Sequence, residues 1–338
     1  CAGNEEIYPF LEGVFDEVIE LFPSQFIHVG GDECPKTRWE KCPKCQGKIK
    51  DLGLKSDAKH TAEQKLQSYV IQRIEKYINS KGRQIIGWDE ILEGGIAPNA
   101  TIMSWQGIEG GIEAAHQGHN SIMTPTSFLY FDYYQALDIK DEVFGIGGYV
   151  PVERVYSFEP MPEALSAEKQ KYIIGVQANL WTEYIQDFRH VQYMVLPRMA
   201  ALSEIQWTEP ENKDYRKFLP RLSNLTKLYT KLGYNFASHI FNIEGKVESD
   251  IENKQVNINL STFDNAPIYY TLDGSEPDEN STSYEFTIKA DKNVHIKAIA
   301  IRNGERSKLF ERNFDINKAT FKEITLENKP WGRYSYAG

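Results

Sequence analysis

This sequence predicts an α/β chain followed by a small all-β domain, on three observations. Short β-rich runs alternate with helical periodicity through most of the first 236 of its 338 residues. Carboxylates and aromatic residues recur just past each of those runs. After Asn235 the helical spacing stops, and short alternating runs divided by turn residues take over. Strands alternating with helices build a parallel sheet through crossover connections.

Taken in order, residues 8–22 carry Phe10, Leu11, Val14, Phe15, Val18, Ile19 and Phe22 at helical spacing, and Pro23-Ser24 ends that helix. Residues 26–29 read as a short buried strand closed by Gly30-Gly31. Residues 61–81 form a helix with Leu66, Val70, Ile71, Ile74 and Ile78 on one face, capped by Gly82. Further strands are expected at 84–87, 101–104, 120–124 and 172–176, and further helices at 108–117, 188–205 and 215–233. Just past the five strands stand Asp32-Glu33, then Trp88-Asp89-Glu90, then Trp105, then Tyr130 with Asp132, then Trp181 with Glu183. A β/α barrel gathers its site from the carboxyl ends of all its strands. An open doubly wound sheet binds at a single crevice. Chemistry-bearing residues at five successive strand ends therefore favour a barrel.

The formal net charge of −10 argues against a nucleic-acid or anionic-membrane partner, since both need basic patches. No apolar run approaches the length of a membrane span.

The strand-end residues suit a sugar. Glycoside hydrolysis needs one carboxylic acid to protonate the leaving oxygen and a second group to stabilise an oxocarbenium-like centre. Trp and Tyr stack on the C–H faces of a sugar, and carboxylates accept bonds from its hydroxyls. Any one Trp is more often a core residue, and Asp32-Glu33 could simply open the helix expected near Pro35. Neighbours on a regular strand point to opposite faces, so both acids reach one cleft only where the strand has ended or bulged. Gly30-Gly31 makes that easy.

The run HVGGDE at 28–33 resembles the signature of family 20 glycoside hydrolases, the β-N-acetylhexosaminidases. GWDE at 87–90, SWQG at 104–107, YFDYY at 130–134 and NLWTE at 179–183 resemble that family's later strand ends, in the same order. The likeness covers about residues 1–236. It implies a (β/α)8 barrel whose fourth strand ends in the Asp-Glu pair, so that strands four to eight are present here. It further implies exo-hydrolysis of terminal N-acetylglucosamine or N-acetylgalactosamine, by a retaining, substrate-assisted route through an oxazolinium. In that scheme Glu33 is the general acid, then base, in a partly desolvated setting that raises its pKa. Asp32 holds the acetamido N–H, and Tyr130 bonds the acetamido oxygen. Trp88, Trp105 and Trp181 wall the pocket, and Asp132 and Glu183 bind outer hydroxyls. Asp89 and Glu90 support the site from behind or are structural, and His28 is a satisfied strand residue or a support behind the site rather than a metal ligand. The scheme needs no cofactor and no metal.

Two departures stand out. The family's first-strand Arg, which grips sugar hydroxyls, has no counterpart here. Its Trp shortly after the YFD segment is replaced by Gly147-Gly148-Tyr149, with Tyr149 in the corresponding place. The chain is therefore expected to be a fragment lacking the first part of the barrel, and poorly active alone. Robust cleavage of an aryl N-acetylglucosaminide by the 338 residues would contradict that. The family resemblance also implies a periplasmic, outer-surface or secreted protein. Two rival readings remain: a non-catalytic carbohydrate-binding protein on the same scaffold, and a glycosidase with an enzyme nucleophile.

Cys34, Cys42 and Cys45 fall as C-x7-C-x2-C, with Cys1 expected on a neighbouring loop. A zinc site, a disulfide and free structural thiols are all compatible with that spacing. Residues 240–316 read as a β-sandwich, with strands at 254–260, 267–272 and 293–301 and a turn at Asp273-Gly274-Ser275. They resemble the module that follows the catalytic domain in many family 20 enzymes. Residues 317–338, with a strand expected at 320–326, read as a linker toward a further domain.

Overall fold

The computed structural model describes residues 1–137, 139–322 and 325. It divides into two compact units, one of Cys1–Tyr215 with Leu225–Ala237, the other of Arg216–Asn224 with Ser238–Gly338.

In the first unit the helices α1 (Ile7–Leu21), α2 (Thr37–Lys41), α3 (Pro43–Asp51), α4 (Ala62–Ser80) and α5 (Glu109–Gln117) interleave with strands. The strands are β1 (Phe26–His28), β2 (Gln84–Trp88), β3 (Thr101–Ser104), β4 (Ser121–Met123) and β5 (Ile173–Val176). Short helices α6 (Thr126–Leu129), α7 (Val152–Ser157) and α8 (Ala167–Gln170) lie between β4 and β5. Then come α9 (Phe188–Val195) and α10 (Arg198–Trp207), and α11 (Tyr215–Lys231) is shared by the two units. The five strands form one parallel sheet in the order β1-β2-β3-β4-β5. Sequence order and spatial order coincide, so the sheet has no switch point of the doubly wound kind. Every strand delivers its carboxyl end to the same rim.

Local chemistry fixes these elements. Thr61 and Gln64 form a capping box at the start of α4: Thr61 Oγ1 accepts the Gln64 N–H at 3.2 Å, and Gln64 Oε1 accepts the Thr61 N–H at 2.8 Å. Ile71, Ile74 and Ile78 of α4 pack on Ile27, Ile85 and Ile102 of the sheet. The helix α1 turns Leu11, Phe15, Val18 and Ile19 toward the same core, while Phe10, Val14, Leu21 and Phe22 are exposed. The apolar positions expected to form one stripe thus split in two, because periodicity shows which positions are apolar and not what covers them. The helix expected at 188–205 is two helices. Pro197 opens the break, since it has no N–H to continue α9.

The second unit holds β6 (Glu244–Asp250), β7 (Gln255–Ser261), β8 (Ile268–Thr271), β9 (Thr282–Ser283), β10 (Ile288–Ala290), β11 (Val294–Arg302), β12 (Glu305–Arg306) and β13 (Phe310–Phe314). One sheet runs β10-β7-β6; the other runs β12-β11-β8-β9, with β13 also on β11. Alternate residues Val256, Ile258 and Leu260 of β7, and Ile296, Ala298 and Ala300 of β11, share one core. The strand expected at 320–326 and the expected linker fall mostly outside the described residues.

Candidate active site

The strand β1 ends at His28, and the chain then turns sharply. Gly30 and Gly31 both take left-handed backbone angles, φ 72° and 100°, and so does Glu33 at φ 46°. A Cβ on Gly31 would lie 2.3 Å from Ile91 Cγ2, so a larger residue must displace Ile91 as well as accept a left-handed backbone. The bend is pinned from both sides: the Trp88 N–H donates to Gly30 O at 3.0 Å, and Gln67 Nε2 donates to Gly31 O at 2.7 Å. Asp32 and Glu33 follow, both exposed. They do not cap the next helix, whose N-cap is Lys36. The desolvated surroundings expected for Glu33 are not present among the described residues. His28 accepts the Gly30 N–H on Nδ1 at 3.1 Å and packs on Trp88 at 4.7 Å between ring centres. Desolvation holds its imidazole below the ordinary pKa, against the pull of the Asp32 charge.

The next strand end carries the second acidic pair. Glu90 bridges two parts of the site. It accepts the Glu33 N–H at 3.4 Å on one oxygen and the Trp105 indole N–H at 2.9 Å on the other. Asp89 is buried and receives Gln106 through its backbone N–H, at 3.4 Å, and its side-chain amide, at 3.3 Å. Burial, then repulsion from Glu90, pushes the Asp89 carboxyl up to about 7.

Four aromatic rings close a loop. Trp88 meets Trp105 at 6.5 Å, Trp105 meets Tyr130 at 6.2 Å, Tyr130 meets Trp181 at 6.4 Å, and Trp181 returns to Trp88 at 5.9 Å. They come from the ends of four strands. Trp88 and Tyr130 are buried, Trp105 is half-buried and Trp181 is 44% exposed. Burial raises the Tyr130 phenol above its ordinary pKa. Edge-on and tilted pairs of this kind are the favoured aromatic geometries.

Asp132 is buried beside those rings. Its Oδ1 has no hydrogen-bond partner, and burial raises its carboxyl pKa. The exposed Glu183 is near enough for its charge to raise that pKa further. Tyr149 pairs through its backbone with Tyr134 and is 38% exposed.

Two residues that sequence reasoning passed over hold this side together. Asn179 clamps the Tyr130 segment, donating its N–H to Leu129 O at 2.9 Å and accepting the Phe131 N–H at 2.7 Å. Its Nδ2 is buried without a partner. Only its place in the NLWTE run could have flagged it. Arg198 is fully buried and donates to the carbonyls of Phe131 at 2.5 Å, Tyr133 at 3.0 Å, Val150 at 2.9 Å and Met194. Burial pulls its guanidinium down to about 9. It acts as a staple behind the segment carrying Tyr130 and Asp132. An Arg at a helix start carries no such signal in sequence.

Known proteins resemble this chain over most of its length. The model for "Glycosyl hydrolase family 20, catalytic domain" matches residues 1–210, and that for "Fn3 associated" matches residues 257–314. A β-hexosaminidase of Porphyromonas gingivalis is 43% identical over 286 residues, covering 84% of this chain and 36% of that protein. One from Vibrio furnissii is 34% identical over 198 residues, covering 58% of this chain and 31% of its own length. The chain thus spans about a third of these relatives. A solved exo β-N-acetylglucosaminidase of Vibrio harveyi, in complex with N-acetylglucosamine, superposes with a TM-score of 0.61. It is 28% identical, covering 70% of this chain and 37% of the other.

Proposed function

The chain belongs to glycosyl hydrolase family 20, and from that premise we propose that it carries the catalytic half of an exo-β-N-acetylhexosaminidase site. The parallel strands β1–β5 are read as strands four to eight of a (β/α)8 barrel. The observation that carries the proposal is the closed ring of Trp88, Trp105, Tyr130 and Trp181, tied through Glu90 to the backbone of Glu33.

The mechanism follows from what each group can do. The ring forms an apolar slot for the acetamido group and one sugar face. Tyr130 donates its hydroxyl to the acetamido oxygen and steers it toward the anomeric carbon. Asp32 accepts the acetamido N–H and stabilises the positive charge of the oxazolinium. Glu33 protonates the leaving oxygen, then removes a proton from the incoming water. The unpartnered Asp132 Oδ1 accepts an outer sugar hydroxyl. Glu183 accepts a second.

The test uses the complete protein that carries these residues, with aryl N-acetylglucosaminide, aryl N-acetylgalactosaminide and aryl glucoside as substrates. The glucoside lacks the internal nucleophile, so its cleavage is expected to be slower by several orders of magnitude, since well-oriented intramolecular attack carries effective molarities of about 10⁵–10⁸ M. Equal rates on the glucoside and the N-acetylglucosaminide would point to an enzyme nucleophile. Tight sugar binding with no turnover of any substrate would point to a binding protein. The same reading places the protein outside the cytoplasm, which cell fractionation checks.

A further inference from the structure

Cys1, Cys42 and Cys45 come together although they lie on two separate stretches of chain. The Cys1 sulfur is 3.5 Å from that of Cys42 and 3.6 Å from that of Cys45, and all three lie within 4.8 Å of one another. Cys34, part of the sequence spacing that first suggests a site, is not in the group. A tetrahedral zinc ion with bonds of about 2.3 Å to sulfur sets its ligands about 3.8 Å apart. The observed separations are close to that edge.

The backbone is shaped for the cluster. Cys42 is the N-cap of α3, and Pro43 opens the helix. A Cβ on Gly3 would lie 2.1 Å from the Lys44 carbonyl oxygen, so only glycine lets the two stretches approach this closely. Beneath them Ala2, Cys45, Ile49 and Leu66 form a small apolar core. Cysteine binds metal as the thiolate, so loading the site releases the thiol protons.

We propose that Cys1, Cys42 and Cys45 bind one zinc-class divalent ion through three thiolates, with the fourth position open to water on the exposed Cys1 side. The ion fastens the turn before α1 to the α2–α3 segment, which follows directly on Asp32-Glu33. It is a clasp behind the carboxylate loop and takes no part in bond cleavage. A disulfide would join only two of the three sulfurs and leave the third beside it.

The 338-residue chain, prepared with reductant and Zn2+ and then dialysed, is expected to retain one zinc per molecule by elemental analysis. Cys34→Ser keeps it, and Cys42→Ser and Cys45→Ser lose it. Because those two variants can fail by misfolding, the parent protein is also loaded with Co2+. Strong sulfur-to-cobalt charge transfer with tetrahedral visible bands is expected. One thiol reacts promptly with a colorimetric disulfide reagent in the zinc form, and three more react after chelation. Absence of retained zinc and of the cobalt bands overturns the site. Equal loss in Cys34→Ser, or a Cys1–Cys42 or Cys1–Cys45 disulfide in protein alkylated at lysis, does so too. None of these readouts depends on hexosaminidase activity.

Discussion

Asp32-Glu33 and Asp89-Glu90 are the same dipeptide at the ends of two paired strands, β1 and β2, and the fold treats them oppositely. The first pair follows two left-handed glycines and stands exposed on a bend. The second opens a single 3-10 turn, Asp89–Leu92, that folds Asp89 inward against Gln106. Identical side chains thus acquire different chemistry from backbone geometry. One pair is free to meet a substrate. The other is bound to protein and holds a proton near neutral pH. The difference teaches that a carboxylate pair in sequence says little until the turn that carries it is known.

The largest expected effect breaks the comparison on the exposed side. In the complete protein, Glu33→Gln should lower kcat by about 10²–10⁴-fold, the usual weight of a positioned general acid. Asp32→Asn should cost less on the same substrate and leave KM for a sugar without the acetamido group unchanged. Steady-state kinetics on an aryl N-acetylglucosaminide and on an aryl glucoside check these. If Asp89→Asn cost as much as Glu33→Gln, the assignment of the two pairs would be reversed.

The inward carboxylate, Asp89, is tested by stability against pH. Asp89 titrates at about 7 in the fold, against about 4 for a free aspartate. Between those values the folded state holds a proton that the unfolded state has released. Stability therefore falls as pH rises from about 4 to about 7, and the full penalty is present above that. Three pKa units bound the effect at about 4 kcal/mol, and solvent screening brings the expected value nearer 2 kcal/mol. Asp89→Asn should remove this slope, so the variant gains on the parent by that amount between pH 4 and pH 8. Denaturant melts of the 338-residue chain across the range measure it. Parallel curves for variant and parent would show that Asp89 does not titrate in this window.

A third change attacks the bend itself. Gly31→Ala places a methyl group against Ile91 and forces a non-glycine residue to φ 100°. Strain of that kind costs about 1–3 kcal/mol. The same denaturant melt reads it, and an unchanged midpoint would mean that the bend relaxes freely.

Much of this was legible in the sequence, and the reason differs by element. Strand β3 is found where the apolar run 101–104 puts it, and α4 lies one residue inside each expected end, because local pattern and burial agree there. The five strand ends were readable because each pairs an acid or an aromatic residue with the end of a β-rich run. Asp89 and Asp32 could not be told apart in sequence, since the hydrogen-bond partner of Asp89, Gln106, lies seventeen residues on. Nor could Arg198 be read: its partners Phe131, Tyr133 and Val150 are 48–67 residues distant. The meeting of Cys1 with Cys42, 41 residues apart, is tertiary in the same sense. The break at Pro197 was in plain view, but the apolar spacing through it suggested continuity.

The smallest effect sharpens the comparison most, because Glu90 belongs to both sides. It takes the Glu33 N–H on one oxygen and the Trp105 indole on the other, and its charge adds to the burial that raises Asp89. Glu90→Gln leaves one acceptor where two donors point, so one hydrogen bond is lost. That costs about 1 kcal/mol, or several-fold in kcat if the lost bond is the one that holds the Glu33 backbone. The substitution also removes the repulsion on Asp89 while leaving its burial intact. Burial is the larger cause, so most of the pH slope should survive in Glu90→Gln and vanish only in Asp89→Asn. If Glu90→Gln abolished the slope outright, repulsion within the pair would be what keeps Asp89 protonated. The contrast between the two dipeptides would then lie in the spacing of their charges and not in the turns that carry them.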